Sequence, residues 1–279
     1  MCDDVTMGLF AIQTLLLLHG SLFLPVMLFN SSAWTKLTPA DIKALQTTQL
    51  KYLKRIFHAP QSTPNSLTFL ETGVLPIEME IHKRQLNFLH HILALDAKDP
   101  VQMTYLQQLK YPYERNWGNE IKILRDKYNL PQSDEDIENL TKNRWKRVVK
   151  KKVHEAALLY LNDEKHKLKS CKLPDYPEVG TQKYLHQLQP QYARCVFQIR
   201  TGVIDLKAVR KYWYKDTVCR LCLHSEETVE HVVNECVKVT RTKNAINITT
   251  NNSEEMEEMA RRCVDFASKL EDNFNVVLS

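Results

Sequence analysis

Apolar residues recur along most of the chain at three- and four-residue spacing, the interval that gathers them on one side of an α-helix. The clearest helix start is Thr38-Pro39-Ala40-Asp41, with an N-cap hydroxyl, a proline in the first helical position and an acid three residues after the cap. From there Ile42, Leu45, Tyr52, Leu53, Ile56 and Phe57 form an inward stripe to about residue 58. Thr63-Pro64 opens a short helix carrying Leu67, Phe69 and Leu70, and Gly73 stops it. Pro76 opens a longer helix to about residue 95, with Ile77, Ile81, Phe88, Leu89 and Ile92 inside. Residues 99–130 read as two shorter helices broken around Tyr111-Pro112, whose aromatics Tyr105, Trp117 and Tyr128 are packing groups. Ser133-Asp134-Glu135-Asp136 caps another helix. Further on, Tyr184, Leu185, Leu188, Ala193, Val196, Phe197 and Ile199 make a helix or a helix pair near Pro190. Ser253 and the acids Glu254, Glu255, Glu257 and Glu258 begin a last helix with Met256, Met259, Cys263, Phe266 and Leu270 inside.

The most apolar stretch, residues 9–29, has the look of a signal peptide or a membrane span. Asp3 and Asp4 precede it and no Lys or Arg does, the reverse of a secretory leader. Gln13, His19, Gly20, Ser21 and Pro25 interrupt it, and each polar group would need a partner in lipid. The expectation is a buried helix pair or helix–loop of a soluble core, with no membrane partner. Only six glycines occur in 279 residues, which fits the helical spacing, so the fold class is all-α: a multi-helical bundle followed by a small metal knuckle. The formal charge is +5, modest enough that its distribution matters more than its sum. Residues 162–180, ending in Pro174-Asp175-Tyr176-Pro177, read as a linker and a domain boundary.

Chemistry concentrates in CRLCLHSEETVEHVVNEC, where Cys219, Cys222, His231 and Cys236 follow a C-x2-C-x8-H-x4-C spacing. Two thiolates from a tight turn, then an imidazole and a third thiolate from a short helix, are the ligands of a closed tetrahedral zinc site. Thr228 is the predicted N-cap of that helix, and Val229, Val232 and Val233 are its apolar stripe. His231 and Cys236 lie five residues apart, so a regular helix would point them about 140° away from each other. The helix must therefore end or unwind near Asn234-Glu235. Four protein ligands leave no open position, so the predicted zinc is structural. His224 reads as a solvated loop residue. The remaining four cysteines, Cys2, Cys171, Cys195 and Cys263, show no framework; an odd total of seven beside a metal site predicts a reducing compartment, nuclear or cytoplasmic.

Basic residues cluster on helices. Lys51, Lys54 and Arg55 share a face of the first long helix, and Lys83 and Arg84 lie on the outer side of the second. The densest group is KNRWKRVVKKK, with Lys142, Arg144, Lys146, Arg147, Lys150, Lys151 and Lys152 around Trp145. Like charges at i,i+4 cost roughly 0.2–0.5 kcal/mol per pair unless anions neutralise them, and phosphates would do so. Arg194, Arg200, Lys207, Arg210, Lys211 and Lys215 line the approach to the knuckle. No glycine-rich phosphate loop and no ordered Ser–His–Asp or Cys–His set is present, which leaves no small-molecule substrate to predict.

With those residues in place, the chain resembles the C-terminal part of a reverse transcriptase from a non-LTR (LINE-like) retrotransposon, over roughly residues 15 to 240. Four blocks carry the resemblance in family order: LFLPVMLFNSSAW (22–34), STPNSLTFLETGVLPIEMEIHKRQLNFLHHIL (62–93), ARCVFQIRTG (193–202) with Arg194, Arg200, Thr201 and Gly202, and the knuckle with its Glu-Thr-Val-Glu-His core. It implies a palm-to-thumb junction over 1–34, a helical thumb and connector over 35–161 and a helix plus CCHC knuckle over 181–240; the terminal helix, over 241–279, lies beyond it. The partner it implies is RNA or DNA, held through Lys51, Lys54, Arg55, Lys83, Arg84, Arg144, Lys146, Arg147, Lys150, Arg194, Arg200 and Arg210. A separate palm-containing polymerase chain is a further partner it allows.

The family's catalytic Asp-Asp box stands well upstream of the thumb, with palm strands between, and there is no room for them after Asp3-Asp4. Those two acids are therefore not carried over as a magnesium-binding pair. The expectation is a non-catalytic, truncated nucleic-acid-binding piece without fingers, palm or endonuclease. Its rivals are a helical protein-interaction scaffold with a purely structural zinc site, and a degenerate retroelement relic.

Overall fold

The computed structural model describes residues 11–111, 115–168, 171, 173–239 and 245–277, and among these the chain is helical, with one isolated antiparallel bridge between Val218 and Glu226. Asp3-Asp4 and Cys2 lie outside the described residues. The apolar first stretch is one interrupted helix: α1 (Ile12–Leu18), a wide π turn (His19–Phe23) and α2 (Leu24–Met27). The turn widens just ahead of Pro25, whose ring in a regular helix would clash with the carbonyl four residues back. Ile12, Leu15 and Leu24 face inward, while Leu17, Leu22 and Val26 lie on the open side. No helix among the described residues is long and apolar enough to cross a membrane.

The capping box expected at Thr38 is present in α3 (Pro39–Ile56): the Thr38 amide donates to Asp41 Oδ2 at 2.9 Å and the Asp41 amide to Thr38 Oγ1 at 3.2 Å. Next, α4 (Asn65–Thr72) ends at Gly73, whose φ of 68° is left-handed and whose missing Cβ would sit 2.2 Å from the Thr181 amide nitrogen. Only glycine satisfies both demands. Then come α5 (Ile77–Leu93), α6 (Pro100–Leu109), α7 (Trp117–Lys127) and α8 (Asp134–Glu138). Tyr105, Trp117 and Tyr128 are buried among them, as packing groups should be.

The basic helix, α9 (Lys142–His166), lies against α5 and α4 along one stripe: Trp145, Val149, Val153, Ala157 and Leu161, each four residues after the last. Trp145 is 0% exposed and donates its indole N–H to the Leu86 carbonyl at 2.8 Å. The cations of KNRWKRVVKKK therefore cover the outer faces and leave one side wholly apolar, so they circle less of the helix than their density suggests.

The described residues of the expected linker, 162–168, 171 and 173–180, are packed rather than loose. The last helical turns carry Leu161 and Lys165 into the core, and Lys165 Nζ donates to the carbonyls of Leu173 and Pro174 and to Asp175 at 2.6 Å. The Asn162 side chain bonds both the amide and the carbonyl of Tyr176. Tyr176 and Val179 are buried. This segment is a strap packed across the bundle, because its tyrosine finds a partner more than a hundred positions upstream.

That partner is Glu71, fully buried on α4. It accepts hydrogen bonds from Tyr176, from Tyr184 at 2.9 Å, and from Arg200 Nε at 2.7 Å. Tyr184 belongs to α10 (Tyr184–Gln187) and Arg200 ends α11 (Pro190–Arg200), so one carboxylate gathers four parts of the chain. Burial opposes charge on Arg200, but the Glu71 carboxylate outweighs it and holds the guanidinium above its ordinary pKa. After α11 the chain builds the Cys/His segment of residues 217–236 and returns as α12 (Ser253–Val277), which packs along α11. One apolar cluster includes residues from Ile12 to Phe266 without a break at the strap.

Arg200→Ala would leave the buried Glu71 with its two tyrosine hydroxyls but no counter-ion, so it is expected to lower unfolding stability by about 3–5 kcal/mol. Urea denaturation followed by circular dichroism measures this, and a loss under about 1 kcal/mol would show that the charge finds solvent.

Candidate metal centre and basic surface

The first two knuckle cysteines sit in a closed hairpin. The Cys219 amide donates to the Ser225 carbonyl at 2.8 Å, the Glu227 amide to Thr217 at 2.7 Å, and the Leu223 amide back to Cys219 at 3.0 Å. Leu223 takes a left-handed φ of 58°, unusual for a bulky residue and a sign that the turn is held tightly by its surroundings.

The return helix begins where Thr228 was expected to cap it: its Oγ1 accepts from the His231 amide at 3.0 Å. It does not run on as an α-helix. From His231 to Glu235 it widens into a single π turn, closed by the Cys236 amide donating to the His231 carbonyl at 2.7 Å, and Cys236 itself is extended. The wider turn, rather than simple unwinding, turns two side chains five residues apart towards one point.

Cys219, Cys222, His231 and Cys236 are all buried, and their ligand atoms lie within 4.8 Å of one another. Cys219 Sγ and Cys236 Sγ are 3.9 Å apart, and Cys222 Sγ and His231 Nε2 are 3.3 Å apart. A tetrahedron around a zinc-sized ion has edges of roughly 3.5–3.8 Å, so the four atoms stand close to the corners that a metal would require. The other imidazole nitrogen of His231 lies 3.4 Å from the Glu235 carboxylate, the outer contact that fixes the ring of a metal-bound histidine. His224 is exposed and outside the cluster.

Proton chemistry agrees with a cation site. Burial would raise the Cys222 thiol, but hydrogen bonds from the His224 and Ser225 amides and from Cys219 and His231 push it down to about 6. Cys236 is pushed up to about 11, first by burial and then, against a Lys238 amide bond, by the neighbouring sulphurs. Three sulphurs this close cannot all ionise alone, whereas an ion among them displaces the protons and binds the thiolates.

Two residues not foreseen as part of the centre hold it in shape. Glu227, fully buried inside the hairpin, accepts from the Arg220 amide at 2.8 Å, from the Arg220 guanidinium at 2.7 Å and from the Lys207 amide at 3.0 Å. Arg220 also donates to the Asp205 carbonyl and to the Tyr214 hydroxyl. The signal was present in an Arg directly after the first ligand and a Glu opposite it across the turn. Behind the π turn, Arg262 of α12 donates to the Val233 carbonyl at 2.7 Å, and Asn234 brackets Ile246.

The predicted phosphate contacts separate into two sets. Lys54, Arg194 and Arg200 are buried and committed: Lys54 to the Gln61 carbonyl and Asn65, Arg194 to the Ile56 carbonyl, Arg200 to Glu71. Their expected role as contacts is withdrawn, since their donors already satisfy internal acceptors. Arg210 is half-buried, donating to Val203 and lying 3.5 Å from Asp205. Lys83 and Arg84 both pair with Glu80. Lys51 and Arg55 are exposed on α3.

On α9, Arg144, Lys146, Arg147 and Lys150 are exposed and take part in no ion pair among the described residues, whereas Lys151 and Lys152 share Glu155. His154 is lowered first by burial and then by the charges of Lys83 and Lys150, against the opposing charge of Glu80.

No protein-family model matches the chain, and neither does a curated protein or a solved structure.

Cys222→Ser, or a chelator on the wild type, is expected to speed amide exchange across residues 217–239 while leaving α5 protected. Hydrogen-exchange mass spectrometry reads this directly, and unchanged exchange in the knuckle would mean that no ion holds it.

Proposed function

We propose that this chain is a non-catalytic nucleic-acid-binding module whose knuckle is closed by zinc. Three thiolates and one imidazole in a tetrahedral arrangement suit zinc, while the absence of carboxylate ligands disfavours magnesium and calcium. With all four corners taken by protein, the ion is structural and leaves no position for an activated water.

The observation that carries the reading is the positive face of α9, which takes part in no ion pair among the described residues. Arg144, Lys146, Arg147 and Lys150 stand in solvent on a helix whose opposite side is pinned by Trp145, so their spacing is rigid. A rigid row of unpartnered cations suits a phosphate backbone, which gains affinity by releasing condensed counterions and is held without sequence readout. The resemblance to the thumb-and-knuckle part of a non-LTR reverse transcriptase supports the same ligand class, template RNA or target DNA. Under this reading the exposed Lys51 of α3 adds to the phosphate contacts, and the buried arginines shape the support.

Affinity for a labelled RNA or DNA duplex should fall steeply with salt. The Lys146→Ala, Arg147→Ala, Lys150→Ala triple variant should reduce the slope of log K against log salt by about 2–3, since each lost phosphate contact removes roughly 0.9. A salt-independent affinity, or a triple variant with an unchanged slope, would refute the assignment.

A further inference from the structure

Among the described residues, two adjacent aromatics are almost wholly in solvent: Tyr212 is 99% exposed and Trp213 85%. Single exposed apolar groups need no explanation, but two neighbouring large rings left in water do. Trp117 and Trp145, by contrast, are buried with their indole N–H groups donated to carbonyls. Lys211 and Lys215 flank the pair, and both are exposed with no ion-pair partner among the described residues.

The segment presenting these rings is anchored rather than loose. Tyr214, the next residue, donates its hydroxyl to Asp205 and lies under the guanidinium of Arg220, 5.2 Å from the ring centre. Arg220 follows the ligand Cys219 and is bound to buried Glu227, which also receives the Lys207 amide. The Trp213 amide closes onto the Arg210 carbonyl at 2.8 Å. A continuous set of contacts therefore runs from the knuckle through Glu227, Arg220 and Tyr214 to the exposed pair.

We infer that Tyr212 and Trp213 form a stacking platform for unpaired nucleobases, held in position by the metal centre. The inference rests on the nucleic-acid reading above and narrows it to single-stranded substrate at this point of the surface. Bases within a duplex already stack on one another and offer no free face, whereas unpaired bases stack on aromatic rings whatever their sequence. Lys211 and Lys215 supply the charge complement for the backbone that joins such bases. The α9 face and the platform are then two separate contacts, one for phosphates in general and one for exposed bases.

The test uses the full, zinc-loaded chain, a fluorescein-labelled oligo-U and a blunt duplex of equal length. Trp213→Ala should weaken oligo-U binding about tenfold with duplex affinity nearly unchanged, and Trp213→Phe should restore most of the loss, since a π face is kept. Oligo-U should also quench the wild-type tryptophan emission, and chelation should erase the difference between wild type and Trp213→Ala. Equal oligo-U affinities for wild type and Trp213→Ala, with duplex binding intact, would overturn the platform alone. Failure of the wild type to bind either nucleic acid would overturn the broader reading and the platform with it. An emission shift with anionic phospholipid vesicles but none with oligo-U would likewise overturn it, in favour of a membrane contact.

Discussion

The C-terminal third is governed by one geometric constraint: the His231 ring and the Cys236 sulphur face one point although they lie five residues apart. A regular helix turns them away from each other. The π turn solves this locally, by closing the Cys236 amide onto the His231 carbonyl and widening the spiral enough to bring ring and sulphur to one side. A wide turn is poorly stabilised by itself, so its neighbours matter. Arg262 takes up the Val233 carbonyl, Asn234 ties down Ile246, and Glu235 steadies the His231 ring. These contacts hold the π turn from three sides and keep the four side chains facing one point.

The Cys/His segment is joined to the bundle through α11 and α12 rather than hung from a tether. Glu71 fixes the near end of that connection by collecting Arg200, Tyr176 and Tyr184 in the core. A buried ion pair of this kind is weak evidence for net stability, yet it is unforgiving of removal and therefore specifies which segments meet. Here it decides that the strap over 173–181 crosses the bundle against Gly73 and that α11 docks at its correct level. The positive outer face of α9 and the exposed aromatics before the knuckle are consequently parts of one body.

Much of this was legible in residue order, and what was not has a consistent cause. The Thr38 cap, the Gly73 stop, the inward stripes, the four ligands and the anomaly between His231 and Cys236 are all local, set by residues within a few turns of each other. Lys54, Arg194 and Arg200 were misread because helical spacing gives a face but not what lies opposite it; their acceptors sit in another loop, the end of α3 and α4. The strap looked like a linker for the same reason, since its prolines and charges are ordinary loop composition and only the distant Glu71 makes Tyr176 a core residue. The π turn was half foreseen: spacing required a departure from α-geometry but could not choose between ending the helix and widening it. Arg220 and Glu227 escaped notice because a charged pair in a hairpin is common, and only complete burial of Glu227 marks it as a keystone.

The account stands on an ion held by Cys219, Cys222, His231 and Cys236. X-ray absorption at the zinc edge, on protein purified without added metal and with metal content measured on the same sample, tests this most directly. One zinc per chain is expected, with three sulphurs at about 2.3 Å and one nitrogen at about 2.0–2.1 Å. A first shell of oxygen and nitrogen alone, or a chain that stays folded through the knuckle with no stoichiometric metal, would contradict it.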